Sequence, residues 1–500
     1  MKKGLFCAVL AVMTAAAFAQ SGAGDVDEEI AKYTEALLLD PDNAEAYRER
    51  GFAYAGKGDY DRAIEDYTQV LRLDPNNARA HNNRGYAYNN KRDYDRAIAD
   101  FNQALRLDPD YASAYNNRGL AYYNKKDIDR AIADYDQALR LDPDFAVAYN
   151  NRGNAYSGKG DRDQAIADYD QALRINPDYA RAYSNRGNAY AGKGESDRAI
   201  ADYNQALRLG PNNAAVYVRR GMAYNNKKDY DRAIEDHTQA LRLDPNDTLA
   251  YLWRGIAYRN KKDYDRAIEN FTQALRLNPD YAVAYNNRGL AYADKRDYDR
   301  AIEDYTQALR LDPNNAGVYV WRGLAYYNRR DIDKAIADYD HALRINPNNA
   351  LVYNNRGMAY DGRRDYDRAI ADYTEALRID PNYALVYNNR GKEYADKGDY
   401  DRAIADYGEA LRIDPHDALV YNNRGKAYAD KGDYDRAIAD CTQALRLDPH
   451  DAAAYRNRGS AYIMKEDYAR ARADVEKALR LNPNDTDVRK LLNQLRGMGY

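Results

Sequence analysis

Residues 44–77 read AEAYRERGFAYAGKGDYDRAIEDYTQVLRLDPNN, and residues 78–111 restate the pattern as ARAHNNRGYAYNNKRDYDRAIADFNQALRLDPDY. The fourteen prolines keep the same 34-residue step without interruption, from Pro41 and Pro75 through Pro109 and Pro143 to Pro449 and Pro483. A strict period of this size means one supersecondary unit copied and stacked, so function is sought on a repeated surface rather than in a single cleft. Within the quoted unit, Tyr47, Gly51 and Tyr54 stand at i, i+4 and i+7, as do Tyr60, Ile64 and Tyr67, which predicts two amphipathic helices. Gly56-Lys57-Gly58-Asp59 separates them: glycine ends the first helix and Asp59 caps the second, while Asp74-Pro75-Asn76 stops that one and offers Asn76 as the next cap. Each unit is therefore a helical hairpin.

Thirteen full units start at Ala44, Ala78, Ala112, Ala146, Ala180, Ala214, Thr248, Ala282, Ala316, Ala350, Ala384, Ala418 and Ala452. Residues 25–43 precede them as a half repeat, a lone second helix with Ile30, Tyr33 and Leu37 at helical spacing. Residues 486–500 follow as a capping helix with Val488, Leu491, Leu492 and Leu495 on one face. The thirteen repeats span 44–485, and 20–24 read as a flexible leader. Aromatic content is carried by 51 Tyr against 6 Phe and 2 Trp, a side chain whose polar tip suits a thin two-layer structure. The formal charge of −4 offers no basic field for nucleic acid.

Tyr47, Gly51, Tyr54, Ala63, Tyr67, Val70 and Pro75 fall on the spacing of the tetratricopeptide repeat, which this chain resembles over essentially all of residues 20–500. The resemblance implies an all-α, right-handed superhelical solenoid of tandem helix-turn-helix repeats, with an adaptor's role. One departure recurs. The family's usual Leu before the glycine is Arg in every unit, as in Arg50, Arg84, Arg118 and Arg458. Counting Ala44 as slot 1, slots 3, 7 and 10 form a small-Arg-small flank expected to lie under a neighbouring helix. A half-buried Arg there needs a carboxylate, and slot 23 supplies Asp66, Asp100, Asp134 and their equivalents, with Asn270 the exception. Glu393, in a slot otherwise filled by Ala, has no such account.

Slots 2, 5, 6, 9 and 12 have no evident core duty, and the family resemblance implies that they line a concave groove. Slots 5 and 6 are Asn-Asn in most repeats, with Asn116, Asn150, Asn286, Asn354, Asn388 and Asn422 leading pairs expected to clamp an extended peptide backbone. The alternative is that these amides are only solvated. The run breaks at Val218-Arg219, Leu252-Trp253 and Val320-Trp321, with Tyr327 beyond, so both tryptophans share one outward slot and are expected to anchor a ligand. Packing of these rings between first helices is the competing reading.

Lys2 and Lys3 precede an apolar run to Ala16 and the small-residue site Ala17-Phe18-Ala19, which predicts a signal peptide over 1–19 and export, most naturally to a bacterial periplasm, secretion being the other destination. The run is short of the ~20 residues a membrane span needs, so no stable insertion is expected after cleavage. Cys441 is then the one cysteine left, which precludes an internal disulfide. The five His occupy unrelated slots, and neither a metal set nor a catalytic triad assembles; catalytic residues, cofactors and metals are all expected to be none. The reading is a non-enzymatic exported scaffold for a protein or peptide partner, with a cell-envelope glycan-binding module as the alternative.

Overall fold

The computed structural model describes residues 23–499. The regular structure of these residues is entirely α-helical, in 28 helices. The expected signal peptide, with its Ala17-Phe18-Ala19 site, lies outside the described residues. The first helix runs Ala23–Leu39, so it takes in the last two residues of the expected leader. Thirteen hairpins follow, from Ala44–Gly56 with Tyr60–Leu73 to Ala452–Met464 with Tyr468–Leu481, and Thr486–Gly497 closes the series.

Caps explain these boundaries. Asp59 accepts from the Arg62 amide at 3.2 Å, and the aspartates of most repeats do the same at slot 16. The next repeat is capped by Asn77 rather than Asn76, its Oδ1 accepting from Ala80 N at 3.1 Å. Slot 34 wins because it stands directly before the first helical residue, where its side chain reaches forward to an unpaired amide of the first turn. Slot 15 always takes a left-handed backbone: glycine at Gly58, Gly160, Gly194, Gly398 and Gly432, but a lysine, arginine or glutamate in the other repeats, Arg330 at φ 68° among them.

Two apolar patches join each repeat to the next. Ala131 and Tyr135 of one second helix take Ala155 of the following first helix, and Ala138 and Leu139 take Ala148. The buried slot-24 ring also explains the slot-8 glycine, since a Cβ on Gly119 would stand 2.8 Å from the ring of Tyr135. Burying each such ring or Leu contributes about 1.5–3 kcal/mol, so stability is a sum over like interfaces. Contacts divide the chain between Ala257 and Tyr258 into two compact units, each a run of stacked hairpins with its own core.

Candidate functional site

The Arg-Asp ladder is present. Arg288 donates Nε to Asp304 Oδ2 at 2.8 Å and Nη2 to Oδ1 at 2.7 Å, and the same two-nitrogen clasp recurs from Arg50–Asp66 to Arg458–Asp474 wherever slot 23 is Asp. Its third nitrogen does a job not foreseen from sequence: Nη1 reaches slot 25 of the preceding repeat, Thr272 at 3.1 Å for Arg288 and Asp170 at 2.6 Å for Arg186. Arg thus replaces the family's Leu by tying two repeats together. The 34-residue recurrence of Thr, Asn and Asp at slot 25 was the available signal. A second, exposed ladder joins slot 14 to slot 18 of the repeat before, as in Lys125–Asp95 at 2.5 Å and Lys159–Asp129 at 2.7 Å.

The asparagine pairs are a correction to the groove expectation. Asn116, Asn150, Asn354, Asn388 and Asn422 are buried, because successive first helices pack side by side and slot 5 of one faces slot 6 of the next. Asn151 Nδ2 donates to Asn116 Oδ1 at 3.0 Å, and Asn185 does so to Asn150 at 2.9 Å. In the C-terminal unit Asn389, Asn423 and Asn457 donate to Asn354, Asn388 and Asn422. Each of these five leading amides has its oxygen occupied by a neighbour. These residues hold repeats in register and are not free clamps for a ligand backbone.

The breaks in this ladder divide by slot. Val218, Leu252 and Val320 occupy slot 5 and are buried, so they pack rather than bind; this corrects their assignment to a groove lining. Arg219 is exposed and its Nη1 lies 3.4 Å from Ser184 Oγ. Trp253 is half-buried, and its carbonyl accepts from Asn225 Nδ2 at 3.3 Å. Tyr327 is half-buried against the core of repeats 9 and 10. Trp321 is 43% exposed. It stands where the ladder would place an amide donor for half-buried Asn286, and Asn286 Oδ1 is left buried without a hydrogen bond.

Slots 2, 6, 9 and 13 lie within about 60° of one another at ~100° per residue, so they form the strip that the core leaves open. In repeats 10–12 this strip carries Leu351, Leu385 and Leu419, each about half exposed, with Lys392 and Asp396 beside them. Glu393, adjoining it at slot 10, is 1% exposed, and burial raises its pKa to about 7 against the pull of Lys392. Burial keeps His237 and Cys441 uncharged near neutral pH. Burial lowers the His237 pKa to about 3, and pushes the Cys441 thiol up to about 12. Among the described residues, no group of three or more His, Cys, Asp or Glu side chains is placed to hold a metal ion, and no helix is long and apolar enough to cross a membrane.

Models described as TPR repeat match residues 23–58, 56–92, 158–194, 257–295 and 391–432. Those described as tetratricopeptide repeat match 90–144, 134–167, 180–213, 214–247, 238–269, 282–315, 316–349, 350–383, 372–405 and 425–496, so the matches together run along nearly the whole chain. Among solved structures, the APC/C hetero-tetramer Cut9–Hcn1 matches at 17% identity and a TM-score of 0.42, over 91% of this chain and 96% of that one. A tetratricopeptide repeat protein from Parabacteroides merdae matches at 22% and 0.41, over 50% and 98%. YrrB, described as a TPR protein with an unusual peptide-binding site, matches at 26% and 0.34, over 39% and 97%. No curated protein matches the chain.

Proposed function

This chain belongs to the tetratricopeptide-repeat family, and we propose that it is a non-enzymatic scaffold which docks a protein or peptide partner on the open strip of its first helices. The observation that carries this reading is the pair Trp321 and Asn286. An indole replaces the amide that neighbouring repeats use, leaves a buried oxygen unpaired, and keeps 43% of its surface open to solvent. That exchange costs the repeat frame a hydrogen bond, and Trp is among the residue types enriched at interface anchors. Recognition therefore rests on side chains of the strip, with the asparagines as the frame beneath.

The test is capture of the native partner by the full chain and by Trp321→Ala. An anchor truncated to Ala costs about 2 kcal/mol or more, roughly a thirtyfold weakening. Undiminished capture, or capture of wall polysaccharide in place of protein, overturns the reading. We further propose that the chain is exported to a bacterial periplasm after cleavage behind Ala19, on the strength of Lys2, Lys3 and Ala17-Phe18-Ala19. Intact mass of the native protein checks this: a chain beginning at Gln20 is expected, and retained Met1 or a lipid on Cys7 refutes it.

A further inference from the structure

Glu393 is the sharpest local departure from the repeat pattern in the C-terminal unit. Slot 10 is otherwise a buried Ala that packs on slots 20 and 24 of the preceding repeat, as Ala155 packs on Ala131 and Tyr135. A carboxylate here is out of water, and its Oε2 makes no hydrogen bond. Its Oε1 lies 3.4 Å from Lys392 Nζ, which is also 3.0 Å from Asp361 Oδ2 and 3.7 Å from Asp396 Oδ2. Three carboxyl groups thus surround one ammonium, so acidic groups outnumber the one base, and one acceptor, Glu393 Oε2, is left without a hydrogen bond. Asp361, Lys392 and Asp396 are partly exposed, so the cluster opens onto the same strip as Leu351, Leu385 and Leu419.

These leucines occupy slot 2 of three successive first helices, and helices packed side by side repeat about every 8–10 Å. An extended strand presents same-face side chains about every 7 Å, whereas helical positions seven apart recur at about 10.5 Å. Over most of that range the row lies nearer the apolar seam of a helix than the face of a strand. We propose that repeats 10–12 dock a basic amphipathic helix of a partner protein. Its apolar seam sits on Leu351, Leu385 and Leu419, and one ammonium or guanidinium enters the Asp361–Glu393–Asp396 set beside Lys392. The proposal rests on the open strip being the docking surface and adds to it the partner's conformation and sign of charge.

The probes are three fluorescently labelled 18-residue amphipathic helices, built of Leu with Lys, Leu with Gln and Leu with Glu, titrated against the full chain at 150 mM and 500 mM salt. The Leu/Lys helix is expected to bind at least tenfold tighter than Leu/Gln at the lower salt and to lose much of that margin at the higher. Asp361→Asn/Glu393→Gln/Asp396→Asn should abolish the margin, while exposed Glu409→Gln leaves it intact. Leu385→Ala should weaken Leu/Lys and Leu/Gln alike. Glu393→Ala restores the slot's usual residue and keeps the test decisive if the triple variant does not fold; it should narrow the margin. Equal binding of the two helices, or a margin that survives these changes, overturns the cationic subsite and leaves the docking reading standing. Absence of any Leu385-dependent binding overturns the helical occupant, and the Trp321→Ala capture experiment then judges the docking surface separately.

Discussion

Arg288 and Asp304 meet through two parallel hydrogen bonds, Nε to Oδ2 at 2.8 Å and Nη2 to Oδ1 at 2.7 Å, while the remaining nitrogen reaches Thr272 at 3.1 Å. Burial raises the Asp304 carboxyl above its ordinary range and Arg288 only partly offsets this, so the clasp specifies how repeats stack more than it stabilises them. Asp304→Ala strands a half-buried guanidinium and is expected to cost about 3 kcal/mol. Arg288→Leu with Asp304→Leu should recover most of that loss. Thermal melts of both variants check this, and an unchanged melting temperature for Asp304→Ala rejects the ladder.

Glu393 makes stability depend on pH. Its folded-state pKa of about 7 lies above the ordinary carboxyl value of 4.5, so the folded protein holds the proton more tightly than the unfolded chain. Stability is therefore lost as pH rises from 4.5 through 7 and stays lost above it. At about 1.4 kcal/mol per pK unit the penalty approaches about 3 kcal/mol in alkali. Glu393→Ala should raise the melting temperature at pH 8.5 by several degrees and much less at pH 5; equal shifts at both refute the assignment.

Trp321→Asn restores a donor opposite Asn286 Oδ1. Satisfying that buried oxygen should stabilise the chain by about 1–2 kcal/mol, while removal of the ring weakens partner capture. A rise in melting temperature with a fall in binding is the expected joint result. A less stable variant that still captures its partner would make the indole a packing residue.

Arg330 sits at φ 68°, where an L side chain costs about 1–2 kcal/mol and glycine does not. Glycine also loses about 0.5–1 kcal/mol of chain entropy on folding, so Arg330→Gly should gain only about 0.5 kcal/mol. Chemical denaturation resolves the sign: a destabilised variant contradicts it.

Repeats 4 and 5 should exchange their amide hydrogens fastest among the internal repeats. Slot 17, usually Tyr or Ile, is Arg162 and Ser196 there, and Arg162 lies exposed over Gly192. Glu195 makes no side-chain cap for the second helix of repeat 5. Uniform protection from residue 78 to residue 449 would contradict this.

Hairpins, repeat boundaries and the partnership of slot 7 with slot 23 were legible in the sequence, because a helical period and a paired substitution recurring at 34 residues are local signals. The slot-25 link was equally periodic but went unread, since Thr, Asn and Asp share no single type. Glu393 was visible as an oddity. Its pKa was not, because burial and the convergence of Asp361 and Asp396 on Lys392 belong to the packed state.

The sequence by itself determined that a helical hairpin is made thirteen times, since caps, glycines and apolar spacing act within one unit. Only tertiary structure decided which side of each first helix remains open. A wheel drawn for one helix leaves Asn116, Asn150 and Val320 facing outward, but the next repeat arrives on that side and buries them. Interfaces between copies depend on the angle at which hairpins stack, and that angle comes from the summed contacts of slots distributed over two repeats, not from any one of them.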